Sequence, residues 1–358
     1  MHVSVIIPTY KRAHLLGYVL DGLRRQTYKD FDVVVVLKPS GDGSEGVVKK
    51  YRDLLEIDLV IQRHGYVVDA LNIGLEHASG DVIAFLDDDA IPNVDWLKKH
   101  VESYKKYQNV GGVAGNVIPA QLKGGKLLTL NGRSHIIPEF RRPTFLESFF
   151  QKVWDAPLKG MENYLVYIDK AGVVEWNSKL SLIAWRKPVR SLLGMGANMS
   201  VLFEAINGFR FSGPWVLGLA WEQFLGWHLW RKKHNLIFSP EAIVYHLIHG
   251  ETLTRAIQSI KKDSLRWVEF FLLFHRLYGL EPNLSRMHRI AWFCISSIVN
   301  LKKYLKNREI NQINQLKSRF YSELIGLKWL LSRKMHGYYT PMSDLESFII
   351  LTEDKGKC

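Results

Sequence analysis

Three consecutive carboxylates, Asp87, Asp88 and Asp89, follow a short apolar run that ends at Leu86. Such carboxylates repel one another, and a divalent cation would offset that repulsion. Mg²⁺ and Mn²⁺ prefer oxygen ligands and bridge phosphate groups. Because alternate residues of an extended chain face the same way, we expect Asp87 and Asp89 on one face. These residues predict a cation site for a phosphate-bearing ligand, and a solvated acidic turn is the alternative.

A second polar group follows the first apolar run of the chain. It consists of Pro8, Thr9, Tyr10, Lys11 and Arg12, which offer a hydroxyl, an aromatic ring and two cations. These groups suit a nucleobase and a diphosphate. Neither a G-x-G-x-x-G nor a G-x-x-x-x-G-K-[ST] sequence occurs here, which argues against a dinucleotide-dependent dehydrogenase and a P-loop NTPase.

The elements that must position these groups alternate between strands and helices. Continuous apolar runs predict four strands, and amphipathic stretches predict the helices between them. The strands are expected at 3–7, 31–37, 59–62 and 82–86, and the helices near 15–23, 47–54 and 68–77. This alternation is typical of βαβ units with a mainly parallel sheet, in which ligands bind beyond the carboxyl ends of the strands.

The rest of the chain divides into three parts. Residues 121–190 are rich in Lys, Arg and Pro and predict an inserted region with a hairpin near 164–176. The α/β core is expected to resume over 194–209 and 221–246. From about residue 251 onward the chain is expected to be helical. The expected domains are therefore 1–250 and 251–358.

Taken together, the motifs of residues 1–250 resemble family 2 glycosyltransferases of the GT-A fold. The similar segments are the opening strand at 5–10, the donor-site helix at 70–74, the aspartate motif at 85–89, the acceptor-side segments at 196–198 and 208–209, and the strand end at 244–246. The resemblance implies a Rossmann-like α/β domain with a mainly parallel central sheet.

The resemblance also implies roles for individual residues. Asp87 would bind the nucleotide or ribose of the donor, and Asp89 would ligate an Mn²⁺ or Mg²⁺ ion that holds the diphosphate. His246 would be a further metal ligand, although a packed histidine is the alternative and His249 lies nearby. The remaining expected substrate-binding residues are Pro8, Thr9, Tyr10, Arg12, Asp42, Asn72, Asp88, Gly196 and Asn198.

An inverting transfer needs a carboxylate that takes the proton of the acceptor hydroxyl. The family usually supplies it from a Glu-Asp pair at the start of a helix. This chain has Glu222 followed by Gln223, so Glu222 is the candidate base, and a helix-capping glutamate is the alternative. After the second strand, Lys38 and Pro39 replace the usual acidic pair, which leaves UDP and GDP both open as donor nucleotides.

The basic charge of the chain is concentrated near its C-terminal end. The net charge is +13, and residues 255–334 contain 16 Lys or Arg against 5 Asp or Glu. Basic residues beside apolar ones favour an anionic membrane surface, with a solvated helical surface as the alternative. The segment at 263–267 resembles the Q-x-x-R-W signature of processive, membrane-embedded members, with Asp263 in place of Gln. The apolar run 290–301 is too short for a membrane span.

These observations predict an inverting, metal-dependent hexosyltransferase that uses a UDP- or GDP-sugar and a lipid-linked or glycan acceptor. Two cysteines without metal-ligand spacing and the absence of a signal peptide predict a cytosolic setting. Together with the basic, apolar C-terminal segment, this predicts a membrane-associated protein on the cytoplasmic face. A sugar-nucleotide nucleotidyltransferase is one alternative. A non-catalytic nucleic-acid-binding protein is another, but the aspartate cluster fits it poorly, so no nucleic-acid partner is expected.

Overall fold

The computed structural model describes residues 1–130, 156–211, 220–248 and 279–307. It also describes the shorter pieces 134–135, 137, 273–275, 277, 313, 316–317, 320 and 323–324.

The first half of the chain alternates strands and helices. Its elements are β1 (Val3–Thr9), α1 (Ala13–Arg24), β2 (Phe31–Leu37), α2 (Ser44–Tyr51), β3 (Ile57–Ile61), α3 (Val67–His77), β4 (Val82–Phe85), β5 (Ala90–Pro92), α4 (Trp96–Lys106), β6 (Val110–Lys123) and β7 (Lys126–Thr129). Each strand and helix predicted before residue 90 is present, with ends that differ by a few residues.

The second half contributes shorter elements and one long strand. They are β8 (Val166–Ile168), β9 (Val174–Trp176), α5 (Ser178–Ala184), β10 (Val189–Arg190), β11 (Met199–Leu202), a 3₁₀ turn (Glu204–Ile206), α6 (Trp221–Arg231), β12 (Asn235–Leu247) and α7 (Arg286–Asn307).

Ten of the described strands form one central sheet. Its order is β10-β12-β6-β11-β4-β1-β2-β3, with β5 paired to β12 and β7 paired to β6. The half from β4 to β3 is parallel, as predicted. On the other side β11 runs antiparallel to both β4 and β6, and β5, β7 and β10 also pair antiparallel. The sheet is therefore mixed, which corrects the prediction of a mainly parallel one.

The parallel half of the sheet is buried on both faces. Val33, Val34, Val35 and Val36 of β2 are fully buried, which explains why this strand is a continuous apolar run. Helix α1 buries its apolar side chains at helical spacing, and it contacts α2 and β5. This packing fixes the carboxyl ends of the strands, where the polar residues of the site lie.

The long strand β6 was not predicted from the sequence. It carries glycines where neighbouring side chains approach its backbone too closely for a Cβ atom. A Cβ on Gly111 would lie 2.6 Å from His234, and one on Gly115 would lie 2.2 Å from the Asn198 side chain. Glycines within a strand often mark such close approach.

The region 121–190 is only partly an insertion. Strands β7 and β10 belong to the central sheet. The predicted hairpin is confirmed, because β8 and β9 pair antiparallel across the turn 169–172. The Asp169 carboxylate accepts hydrogen bonds from the backbone N–H groups of Ala171 and Val173, and Gly172 adopts a φ of +71°.

Helix α7 is a 22-residue helix that includes the predicted apolar run 290–301. Among the described residues, the helices are too short or too polar to cross a membrane. The segment 263–267 and His249 lie outside the described residues.

Candidate active site

The three aspartates lie in the turn between β4 and β5, at the carboxyl end of β4. Strand β12 pairs antiparallel with β5, and this register sets His246 opposite Ala90. The Leu247 N–H donates to the Asp89 carbonyl at 2.9 Å, and the His246 Nε2 lies 3.2 Å from the Asp89 Oδ1. The sheet register therefore joins a histidine and an aspartate that are 157 positions apart in the sequence.

Asp87, Asp89 and His246 form a group that could hold a metal ion. Each offers one ligand atom, and these atoms lie within 4.8 Å of one another. Burial, together with the negative charge of Asp89, raises the pKa of the Asp87 carboxyl to about 6. Carboxylates that repel one another in a buried turn fit a divalent cation, which would neutralise them. The structure thus places Asp87 beside Asp89 and His246, the two predicted metal ligands.

Asp88 faces away from this group, toward the end of β1. Its carboxylate accepts a hydrogen bond from the Tyr10 N–H at 3.4 Å and lies 3.8 Å from the Arg12 Nε. Arg12 is buried and precedes α1, and Thr9 is the buried last residue of β1. The contact between Asp88 and Arg12 therefore connects the loop after β4 with the loop after β1. Pro8, the residue before Thr9, is part of β1 and pairs with Val36.

Glu222 lies in the first turn of α6, next to the aspartates. The Trp221 ring contacts the Phe85 ring edge-on at 5.5 Å, which fixes the start of α6 against the end of β4. The Gly196 N–H donates to the Glu222 Oε1 at 3.0 Å. Burial raises the pKa of the Glu222 carboxyl to about 7, and the negative charge of Asp87 contributes to this increase. A carboxylate with a pKa near neutrality suits a general base.

Gln223, the residue after Glu222, is bonded to the backbone of residues 193 and 194. Its Nε2 donates to the carbonyl oxygens of Leu193 and Gly194, at 3.2 and 2.8 Å, and the side chain is buried. A carboxylate at this position would face two carbonyl oxygens and repel them. An amide at position 223 therefore fits the two carbonyl oxygens, whereas an acidic residue would not. Glu222 is the residue that accepts the hydrogen bond from Gly196.

Two of the predicted substrate-binding residues hold backbone segments. The Asn72 amide exchanges two hydrogen bonds with the Phe211 backbone, at 2.7 and 2.9 Å. The Asp42 carboxylate accepts from the Ala13 N–H at the start of α1, and from Ser40 and Ser44 in its own loop. These hydrogen bonds lower the pKa of Asp42 to about 2 against the opposing effect of burial.

Asn198 lies beneath the site and is fully buried. Its Oδ1 accepts from the Trp96 Nε1 at 2.7 Å and lies 3.0 Å from the His100 Nε2, and its Nδ2 donates to the carbonyls of Asn116 and Ala242. These four partners use all the hydrogen-bonding positions of an amide. The prediction that Asn198 contacts substrate is corrected accordingly: the residue supports the irregular pairing of β6 with β12.

His135 was not predicted as a site residue from the sequence. The His135 ring lies edge-on to the His246 ring, with 5.9 Å between their centroids. The backbone N–H of His135 donates a hydrogen bond to the Val117 carbonyl. It falls in the region 121–190, where no motif or periodicity indicated a function.

Part of the chain is similar in sequence to known glycosyltransferases. The family model described as glycosyl transferase family 2 matches residues 4–153. Glycosyltransferase AglE of Haloferax volcanii is 35% identical over 128 residues, which cover 34% of this chain and 41% of that protein. Validoxylamine A glucosyltransferase of Streptomyces hygroscopicus subsp. jinggangensis is 47% identical over 89 residues, which cover 24% of this chain and 21% of that protein.

Among solved structures, the mannosyltransferase PcManGT from Pyrobaculum calidifontis, in complex with GDP-Man and Mn²⁺, is similar at a TM-score of 0.49. It is 17% identical, and the match covers 99% of this chain and 86% of that one. The chain spans less than half the length of the two curated relatives. The family match includes β4, β5 and the three aspartates, whereas Glu222 and His246 lie outside it. Residues 4–153 of the chain are therefore similar to glycosyl transferase family 2.

Proposed function

We propose that the protein is an inverting, metal-dependent hexosyltransferase that uses a nucleotide-diphosphate sugar. One observation carries this proposal. A candidate ligand set of two carboxylates and one imidazole lies beside a partly buried carboxylate, Glu222, whose pKa is near neutrality. The first group suits a cation that binds a diphosphate, and the second suits a base that activates an acceptor hydroxyl.

In this mechanism the acceptor hydroxyl attacks the anomeric carbon from the side opposite the diphosphate. The bond from the acceptor oxygen to that carbon forms, the bond from the carbon to the diphosphate oxygen breaks, and Glu222 takes the acceptor proton. Asp87, Asp89 and His246 would hold the divalent ion, which supplies positive charge to the diphosphate leaving group. The Gly196 N–H orients the Glu222 carboxylate.

The chemistry of the ligand set bears on which ion is bound. Mg²⁺ strongly prefers oxygen ligands, and imidazole is a better ligand for the later divalent metals. A set with one imidazole therefore favours Mn²⁺ over Mg²⁺. The similarity to a glucosyltransferase over 89 residues supports a glucose-class donor. We propose a glucose-class or mannose-class donor, carried on UDP or GDP.

A transfer assay tests this proposal. The full chain is incubated with UDP-glucose or GDP-mannose and a polyprenyl phosphate acceptor, with Mn²⁺ or with a chelator. The expected result is a metal-dependent glycolipid in which the anomeric configuration of the donor is inverted. A product that retains the configuration, or equal rates with the chelator, would contradict the mechanism.

We further propose a lipid-linked acceptor and a place on the cytoplasmic face of a membrane. The support is a row of exposed apolar side chains along α7, formed by Met287, Ile290, Ile298, Leu301 and Leu305. The same helix contains five Lys or Arg and no Asp or Glu. An apolar face on a basic helix is typical of helices that lie on anionic lipid surfaces.

The membrane proposal has its own test. Co-sedimentation with vesicles of phosphatidylserine and phosphatidylcholine is compared for the wild type, Ile298→Glu and Leu182→Glu. Ile298 and Leu182 are 66% and 59% exposed, so both substitutions place a charge at a similarly exposed position. We expect Ile298→Glu alone to reduce binding. Equal binding of all three proteins would contradict the role of α7.

A further inference from the structure

A second group of side chains lies beyond the metal-ligand group, at the carboxyl ends of β1, β2 and β3. Tyr10 follows β1, Lys38 follows β2 and Tyr66 precedes α3 after β3. The Lys38 ammonium lies 5.6 Å from the centroid of each tyrosine ring. It also donates a hydrogen bond to the Gly65 carbonyl at 2.7 Å. Lys38 is thus held between two aromatic rings at a defined position.

The loop that accepts this hydrogen bond is itself fixed. Gly65 adopts a φ of +87°, and a Cβ at this position would lie 2.4 Å from the Asp69 carboxylate. The same carboxylate accepts a hydrogen bond from the Tyr66 N–H at 2.6 Å. A residue with a side chain would therefore disturb the loop, and the position of the Lys38 ammonium is set by the fold.

Lys38, Tyr10 and Tyr66 lie where the nucleoside of a donor would lie if its diphosphate were bound at the aspartates. Tyr10 links the two sites, because its N–H donates to Asp88 while its ring contacts Lys38. The strand order β4-β1-β2 puts Lys38 two strands away from the aspartates. At about 4.8 Å per strand this is roughly 10 Å, which a ribose and a base attached to a bound diphosphate can span.

The chemistry of Lys38 selects among the bases. An ammonium carries three N–H donors and no acceptor, and Gly65 accepts one of them. Among the described residues, Lys38 takes part in none of the ion pairs. It can therefore donate to a carbonyl oxygen of a base such as uracil or guanine, whereas adenine carries an amino group in place of a carbonyl and offers only its ring nitrogens as acceptors.

Asp42, four residues after Lys38 in the loop that follows β2, bears on the choice between uracil and guanine. The N1–H and amino group of guanine require acceptors, which a carboxylate commonly provides. The Asp42 carboxylate already accepts hydrogen bonds from Ala13, Ser40 and Ser44. Uracil has two carbonyl oxygens, which are acceptors, on either side of one N–H. It therefore matches a site in which the Lys38 ammonium is the hydrogen-bond donor.

We propose that Lys38, held between Tyr10 and Tyr66, donates a hydrogen bond to a carbonyl oxygen of uracil and makes this protein select a uridine nucleotide. The inference rests on the proposed function, because it assumes that the aspartates bind the diphosphate. It names the donor class that the proposed function leaves open.

Isothermal titration of the full chain in Mn²⁺ with UDP, GDP and ADP tests the inference. The proteins are the wild type, Lys38→Met and Lys50→Met, which removes an exposed lysine of α2 as a control. We expect the wild type to bind UDP more tightly than GDP or ADP. Lys38→Met should weaken UDP binding about tenfold or more, since one hydrogen bond to a charged group is lost. ADP binding should not change.

The outcomes separate this inference from the proposed function. If Lys38→Met weakens UDP and ADP equally, Lys38 acts on the phosphates and base selection is overturned. If the wild type binds GDP more tightly than UDP, the uracil assignment is wrong, and metal-dependent binding still supports the transferase. Failure of every nucleotide to bind in Mn²⁺ would overturn both.

Discussion

Replacing Glu222 with glutamine removes the proposed base and leaves its surroundings in place. Glutamine has nearly the same shape, and its carbonyl oxygen can still accept the hydrogen bond that the Gly196 N–H donates at 3.0 Å. The side chain can no longer take a proton. General base catalysis contributes about 10²–10⁴-fold, so we expect kcat to fall by that factor, about 3–5 kcal/mol in the activation free energy.

The pH dependence gives a second readout of the same substitution. The pKa of Glu222 is raised from 4.5 to about 7, so the fraction of the active, ionised base increases as pH rises through 7. The wild-type rate should therefore rise toward a plateau above about pH 8. In Glu222→Gln this dependence should disappear.

A transfer assay with radiolabelled donor measures both effects. Glu204→Gln, which neutralises an exposed glutamate in the 3₁₀ turn, is the matched control and should behave like the wild type. Donor affinity should be similar in all three proteins. If Glu222→Gln keeps more than a third of the wild-type kcat, or keeps the same pH dependence, Glu222 is not the base.

Three further predictions concern stability and metal binding. Ionised Glu222 is unfavourable in the folded protein, since its raised pKa favours the protonated form. The free energy of unfolding of Glu222→Gln should therefore be about 3 kcal/mol higher than that of the wild type at pH 8. The difference should vanish below about pH 4.5, and denaturant titrations at the two pH values measure it. Gly115→Ala should lower the unfolding free energy by about 1–3 kcal/mol because the new Cβ collides with Asn198, whereas Gly46→Ala, in open space within α2, should raise it by about 0.5–1 kcal/mol. Equal thermal midpoints for these two alanine variants would contradict the packing argument. His246→Ala should weaken Mn²⁺ binding more than about tenfold in a paramagnetic resonance titration, and an unchanged affinity would remove the imidazole from the ligand set.

The elements that could be predicted from the sequence are those with a continuous apolar pattern. Strands β1, β2 and β4 are short apolar runs because both faces of the parallel half-sheet are buried. The aspartates could be assigned to the site because they directly follow β4. Strand β6 escaped prediction because its glycines resemble turn residues, and the reason for them, close contact with His234 and Asn198, exists only in the folded chain.

Side-chain amides and carboxylates were harder to interpret than the strands. Asn72, Asn198 and Asp42 stand in segments that resemble substrate-binding motifs, but the structure shows their polar atoms bonded to the protein itself. A sequence does not reveal whether such a group faces a ligand or a backbone carbonyl. The pairing of His246 with Asp89 was expected only from the family resemblance, because it depends on the register of β12 against β5.

The measurement that tests the central claim most directly is isothermal titration of UDP, with and without Mn²⁺, on the wild type and on Asp89→Asn. The substitution keeps the size of the side chain and removes a charge from the group formed with Asp87 and His246. We predict that UDP binds the wild type only with Mn²⁺ and that Asp89→Asn loses this binding. UDP binding that is equally strong without the metal, or unchanged in Asp89→Asn, would contradict a metal-dependent nucleotide-sugar site.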